Sequence, residues 1–230
     1  MLKFVSAITL LILGSSAAVA DNDAPSSCKL PQNLVASIQR TLFAVVRLNN
    51  GGIFSPNRMW SAVVDREGHL CSVEVVGDAW PGSRAIAIAK ASTANDFSNS
   101  GLALSTANLY SATQPGGSLY GLNNSNPFNP DFLRQGTGVG QVPGGIITFG
   151  GGLALYLGGQ VIGGLGVSGD SSCADHAIAY RMRRLAHLDG IPAGVGFNGT
   201  DNIDYLATGE APNGFKQPHC FPQDLAPGQI

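Results

Sequence analysis

The sequence predicts an α+β domain in layers, with a mainly antiparallel sheet flanked by helices. Two observations support this prediction. The predicted elements follow the order helix, strand, strand, helix, long loop, strand, strand, helix. Each pair of strands is joined by a short turn, and strands connected in this way pair antiparallel. Helices that stand apart from such strands pack on the sheet as a separate layer.

The first helix and the first hairpin follow from residue spacing. Apolar residues recur along residues 33–46 at the spacing of one helical face, which predicts an amphipathic helix. The runs 60–65 and 70–76 are rich in β-branched residues, and the four residues 66–69 between them include glycine. This pattern predicts an antiparallel hairpin.

The remaining helices and strands are predicted in alanine-rich segments and in apolar segments that glycines interrupt. Residues 83–97 predict a helix with Ser83 as its N-cap. Two further strands are expected, one from 145–149 with 153–157 and one over 161–167, on either side of a Gly-Gly turn. A last helix is predicted from Ser172 to Leu188.

The predicted domain covers residues 33–188, with an inserted loop at 113–145. The loop is rich in Gly, Asn and Pro, and loops of this length are usually functional or contact a partner. Residues 1–20 have the charge, apolar core and small-residue cleavage site of a signal peptide. Residues 21–32 form a lead into the domain, and 189–230 form a loop-rich extension. We therefore expect an exported protein, periplasmic or secreted.

The amino-acid composition limits the classes of partner that the protein is expected to bind. The formal net charge is −2 and only 12% of the residues are charged. The single basic cluster, Arg181 to Arg184, is typical of the solvated side of a helix, so nucleic-acid binding is not expected. No segment after the leader is apolar for long enough to predict a membrane span.

Four cysteines lie after the leader: Cys28, Cys71, Cys173 and Cys220. An even number in an exported chain favours disulfides over a metal site, and four cysteines allow three pairings. We expect Cys28 to pair with Cys71 and Cys173 with Cys220, although the sequence alone does not separate the three.

Three motifs resemble one family. These are SAVVDREGHL from Ser61, PGSR from Pro81 with AKASTA from Ala89, and GQVIGGLGVSG from Gly159 followed by Asp175. They are similar to the GlcG/HbpS-like haem-binding family, which includes the C-terminal domain of PduO-type proteins, over roughly residues 33–187. The resemblance implies a profilin-like domain, a symmetric homo-oligomer, and an association with haem or corrinoids, of which haem is favoured.

The glycine-rich segment before the last helix is the predicted wall of a ligand site. Gly164, Gly166 and Gly169 fit the spacing of a dinucleotide motif, and Ser168 and Asp170 are further candidate residues of the same segment. The strand and acidic residue that should follow such a motif are missing, which argues against a Rossmann site. The remaining interpretations are close strand packing and ligand contact, because glycine lets another group approach the backbone.

Further candidates lie beside this segment. Lys90 and Thr93 share a helix face and suit an anionic group such as a haem propionate, although a lysine there could equally be solvated. Asp175 is either part of a helix cap or a site residue. His176 is the first candidate for an iron ligand and His69 the second, while either could be an ordinary non-ligand histidine.

Three functions remain open on these grounds. The first is non-covalent binding of haem or another tetrapyrrole between the glycine segment, the Lys90/Thr93 face and the long loop. The second is an enzyme of lyase, isomerase or haem-degrading type, with Lys90 and Asp175 as charge-holding or acid–base groups. The third is an interaction module that docks a partner through loop 113–145.

Overall fold

The computed structural model describes residues 27–230, so the predicted signal peptide lies outside the described residues. The chain forms one four-stranded sheet with helices on both faces. The elements are α1 (Gln32–Val45), β1 (Met59–Asp65), β2 (Leu70–Val76), α2 (Ser83–Asp96), α3 (Tyr110–Thr113), β3 (Gly152–Leu157), β4 (Gln160–Ser168) and α4 (Ser172–Leu185). The α+β prediction is confirmed.

The sheet has the strand order β2-β1-β4-β3, and every neighbouring pair is antiparallel. Trp60 pairs with Val75 on one side and with Ser168 on the other, which makes β1 a central strand. All seven residues of β1 are buried. The chain crosses from β2 to β3 through α2 and the long loop.

The two faces of the sheet carry different cores. Helices α1 and α4 cover one face with large aliphatic side chains, including Ile38, Leu42 and Ile178, all fully buried. Helix α2 covers the other face and contributes mainly alanine. Small side chains on α2 let the helix lie close to the sheet, and this closeness positions the candidate site.

Three sequence predictions about elements are wrong in detail. Residues 145–149 are not a strand: Gly144 and Gly145 have φ of +70° and +92°, and Ile147 donates its backbone N–H to a side chain on α2 instead of to a strand. The N-cap of α2 is Gly82, without a side-chain cap. Helix α4 ends at Leu185 because His187 adopts φ 57°, a left-handed conformation.

Residues 189–230 contain no strand and no long helix, and they cover part of the core. The extension buries Arg183, whose guanidinium makes a two-point ion pair with Asp201 at 2.6 Å. The prediction that Arg181 to Arg184 form a solvated face is therefore wrong at Arg183. A buried arginine is tolerated when its charge is paired, and here the Asp201 carboxylate supplies the opposite charge.

Both disulfides join the expected cysteines. Cys28 is bonded to Cys71, and Cys173 is bonded to Cys220. The first ties the lead to β2, and the second ties the extension to the first turn of α4. No helix within residues 27–230 is long and apolar enough to cross a membrane.

Candidate functional site

A buried ion pair between α2 and α4 forms the centre of the predicted site. Lys90 Nζ donates to Asp175 Oδ2 at 2.7 Å and to the carbonyl oxygen of Val167 at 3.0 Å. Their side chains are 0% and 2% exposed. The sequence predicted that these residues share one site, and the structure brings them together, whereas the solvated alternative for Lys90 is wrong.

Burial changes the acid–base properties of both groups. Removal from water raises the pKa of Asp175 to about 6, although the neighbouring Lys90 opposes this shift. Burial likewise lowers the pKa of Lys90, with Asp175 acting in the opposite direction. Each group is therefore held in its charged form chiefly by the other.

Asp175 also accepts a backbone N–H at the start of α4, so it contributes to capping, and its role in a ligand site stays a prediction. Its Oδ1 accepts the backbone N–H of Asp170 at 3.0 Å. The N-cap itself is Ser171, whose hydroxyl accepts the N–H of Ala174 at 3.2 Å. A hydroxyl at this position satisfies an N–H group that the helix leaves free. The ion pair is thereby fixed to the helix start.

The segment after the long loop covers the ion pair. The Phe149 ring centroid lies 4.9 Å from Lys90 Nζ. Gly151 has φ +120°, and a Cβ there would lie 2.8 Å from Lys90 Nζ and 2.9 Å from the Cβ of Asp175. Thr93 accepts the N–H of Ile147 at 3.0 Å. Sequence reasoning missed Phe149 and Gly151, because nothing in their spacing places them over α2.

The glycines of the predicted wall lie within β4 and face α2. A Cβ on Gly164 would overlap the carbonyl oxygen of Ala91, and one on Gly166 would overlap that of Ala87. This is the close-packing interpretation, and it explains why the strand needs glycine there. Only Gly169 and Asp170 form the turn into α4. Ligand contact by these residues stays a prediction.

The two predicted iron ligands lie in different places. His176 lies on α4 and is fully buried under the extension, where its Nε2 accepts the N–H of Ile203 at 3.0 Å and lies 3.1 Å from Asn202 Oδ1. Burial lowers the pKa of His176 to about 4, so its imidazole is neutral at physiological pH. His69 lies in the β1–β2 turn with 20% of its side chain exposed, and Nδ1 is 3.2 Å from Asp65 Oδ2.

The described residues contain two clusters of potential metal ligands. One comprises Cys28, Asp65 and Cys71, and the other comprises Cys173, Cys220 and Asp224. Each cluster includes a disulfide, so its sulfurs are not available as thiolates. Neither histidine belongs to these clusters. Metal binding by His176 or His69 stays a prediction.

A groove opens beside the predicted site. It lies between α2 and the long loop and has a volume of about 170 Å³. Its lining is mainly apolar and includes Ala85, Ile86, Ala89, Phe128 and Leu133. The sequence placed the ligand between the Gly164 to Asp170 turn, the Lys90/Thr93 face and loop 113–145, and of these three only the loop lines the groove. The groove, unlike Lys90 and Thr93, is open to solvent.

Comparison with known proteins decides the family. A family model described as "Haem degrading protein HbpS-like" matches residues 55–183, more than half of the chain. The chain belongs to the HbpS-like family. The matched range begins just before β1 and ends in α4, so it contains the whole sheet, α2 and the Lys90–Asp175 pair.

One bacterial relative is similar in sequence to about half of this chain. A Citrobacter freundii protein described as an uncharacterised 15.0 kDa protein in the dhaT-dhaS intergenic region is 35% identical over 118 residues, covering 51% of this chain and 68% of that protein.

Two solved structures share the fold. The ORFY protein of Klebsiella pneumoniae has a TM-score of 0.53 at 24% identity and covers 72% of this chain and 96% of its own. A PduOC structure described as a haem complex has a TM-score of 0.51 at 28% identity and covers 68% of this chain and 94% of its own.

Proposed function

We propose that this protein binds haem or a related tetrapyrrole non-covalently in the groove between α2 and the long loop. The observation that carries the proposal is membership of the HbpS-like family together with the haem complex of the PduOC structure, which is 28% identical to this chain. Haem is favoured over a corrinoid because both descriptions name haem and neither names a corrinoid.

The residues of the groove fit part of such a ligand. The apolar side chains of Ile86, Phe128 and Leu133 suit the flat faces of a porphyrin, whose burial removes apolar surface from water. The volume of about 170 Å³ is below the roughly 300–1,000 Å³ of typical ligand pockets. Binding then requires the long loop to move away from α2. Haem would supply the redox and spectroscopic properties of its iron.

No imidazole lines the groove, so the axial ligand of the iron is a separate question. The polar groups at its edge are the amides of Asn123 and Asn126. His176 lies on α4 with Nε2 already hydrogen-bonded, and His69 lies in the β1–β2 turn. Ligation through Nε2 of His176 would break its hydrogen bond to Ile203, whereas Nδ1 is buried without a hydrogen-bond partner among the described residues.

Haemin titration of the oxidised protein tests the proposal. We expect saturable binding with a shifted Soret band. Ala85→Trp fills the groove from a half-buried position on α2 and should weaken haemin binding at least about tenfold, since one lost favourable contact of about 1.4 kcal/mol has that effect. Ala44→Trp, on the exposed side of α1, is the matched control and should bind as the wild type does.

Two results would count against this proposal. One is the absence of saturable binding of haemin, and the other is equal affinity in Ala85→Trp and the wild type. A separate measurement tests which residue is the axial ligand of the iron. The Soret position of the haemin complex should be compared between the wild type, His176→Gln and His69→Gln. A change in one variant alone would assign that histidine to the iron.

The proposal includes export and self-association. Two disulfides support an oxidising compartment, because disulfides persist outside the cytosol. Sequencing the N-terminus of the secreted protein should find Asp21, and an N-terminus at Met1 would refute removal of residues 1–20. Sedimentation equilibrium should give a mass that is a multiple of the mature chain, whereas a monomer at all concentrations would refute the homo-oligomer.

A further inference from the structure

A larger cavity lies away from the groove, at the other face of the sheet. Its volume is about 360 Å³, within the roughly 300–1,000 Å³ of small-molecule sites. Residues after the end of α1, the segment 54–58 and the end of β2 form its walls. The lining residues are Val46, Arg47, Phe54, Ser55, Pro56, Asn57, Arg58, Val76 and Gly77.

The lining combines two cations with apolar and neutral polar surface, and none of the lining residues within 27–230 is acidic. Arg47 and Arg58 are both exposed, and no ion pair within residues 27–230 includes either of them. The Arg58 guanidinium lies 5.0 Å from the centre of the Phe54 ring. Guanidinium groups bind carboxylate, sulfonate and phosphate oxygens in a planar two-point geometry. A cavity lined by two guanidinium groups and an aromatic ring therefore matches a negatively charged group attached to an apolar body.

The wall that carries Phe54 is held in place by Asp170, in the turn that leads into α4. The carboxylate of Asp170 accepts the backbone N–H groups of Ile53 at 2.6 Å and Phe54 at 2.9 Å. It also accepts the buried side-chain amide of Asn57 at 3.1 Å, and the backbone N–H of Asn57 donates to the carbonyl oxygen of Val46 at 3.1 Å. A pocket whose wall is fixed before binding loses less entropy when a ligand enters.

We propose that this cavity, the Arg47–Arg58 pocket, binds a small organic anion with an aromatic or aliphatic body. The site is distinct from the groove beside α2 and goes beyond haem binding. Its ligand has one acidic group that contacts Arg47 and Arg58 and an apolar part that packs against Phe54 and Val76.

The probe for this test is 8-anilinonaphthalene-1-sulfonate, an aromatic anion whose emission rises in apolar surroundings. Both tryptophans of the chain lie near the pocket: the Trp80 ring packs edge-on against Phe54 at 5.4 Å, and Trp60 Nε1 donates to the Trp80 carbonyl oxygen at 3.0 Å. We expect saturable binding with energy transfer from tryptophan. Arg47→Ala and Arg58→Ala should each raise the Kd about tenfold.

Arg40→Ala is the matched control, because Arg40 is an exposed arginine on α1 that does not line the pocket. It should leave the Kd unchanged. The uncharged analogue N-phenyl-1-naphthylamine should bind much more weakly than the anion. Equal affinity for the two probes, or an unchanged Kd in the Arg47→Ala/Arg58→Ala double variant, would overturn the proposal.

Binding experiments with haemin distinguish the anion-pocket proposal from the haem-binding proposal. Haemin at saturation should leave binding of the anionic probe intact, and the double arginine variant should bind haemin as the wild type does. Competitive displacement of the probe by haemin would show one shared site and would refute a separate anion pocket. A protein that binds the probe but not haemin would retain this inference and lose only the haem proposal.

Discussion

Removal of either partner of the Lys90–Asp175 ion pair should destabilise the fold strongly. Lys90→Met keeps the length of the side chain but leaves the Asp175 carboxylate without its cation, and Asp175→Asn keeps the acceptor for the Asp170 N–H but leaves the ammonium unpaired. The side chains are 0% and 2% exposed, so water cannot take the place of the lost partner.

The expected magnitude follows from this burial. Breaking one side of a buried pair costs about 3–5 kcal/mol, which for a chain of this size lowers Tm by about 6–20 °C. The Lys90→Met/Asp175→Asn double variant removes both charges and should be more stable than the sum of the two single effects predicts. Chemical and thermal unfolding followed by circular dichroism, with disulfides intact, measures all three variants.

The pH dependence of the stability of Lys90→Met provides a second test of the buried ion pair. Burial already raises the pKa of Asp175 to about 6, and loss of Lys90 raises it further. A carboxyl group with a raised folded pKa contributes stability that is present below its unfolded pKa of 3.8 and is lost as the pH rises through the folded value. Lys90→Met should therefore be less destabilised at pH 5 than at pH 8.

The matched control is Lys216→Met, which breaks the partly exposed pair with Glu210 at 3.4 Å. Exposed pairs are worth about 0–1 kcal/mol, so this variant should unfold nearly as the wild type does. A cost below about 1 kcal/mol for Lys90→Met, or a double variant whose effect equals the sum of the singles, would refute the reasoning about the buried pair.

Three further changes test other parts of the molecule. The lowered pKa of His176 contributes stability that is present above pH 6.5 and is lost as the pH falls through about 4. His176→Gln should therefore reduce the loss of stability at acidic pH. An unchanged dependence of stability on pH would contradict this prediction. Gly166→Ala should cost about 3 kcal/mol in urea unfolding because its Cβ would overlap the α2 backbone, whereas Gly190→Ala, in open space, should cost little. Replacing Cys173 and Cys220 by serine should remove about 4 kcal/mol, given their separation of 47 residues, and unaltered unfolding would argue against that bond.

Much of the candidate site could be predicted because helix spacing and short motifs are local. Lys90 and Thr93 lie one turn apart on α2, and Asp175 lies in the first turn of α4 after the cap, so both helices and their faces were predictable from sequence. The partners of these residues were not. Phe149 and Gly151 reach the ion pair through a segment that lacks periodicity, and Asn202 reaches His176 from the extension.

The role of the glycines of β4 likewise could not be decided from the sequence alone. Their pattern allowed either a ligand-contacting turn or close packing, and only the position of α2 against the sheet separates the two. The apolar groove and the Arg47–Arg58 pocket depend on segments distant in the chain, which no spacing rule connects.

The sequence by itself determined the α+β class, the four strands and three long helices, the family resemblance and the residues that could form a site. Periodicity, turn composition and capping decide these features within a few neighbouring residues. The tertiary structure alone decided which candidates are buried and paired, which glycines serve packing and where the surface is open. Those outcomes depend on desolvation and on contacts between distant segments, so the same lysine that could have been solvated on a helix became half of a buried ion pair.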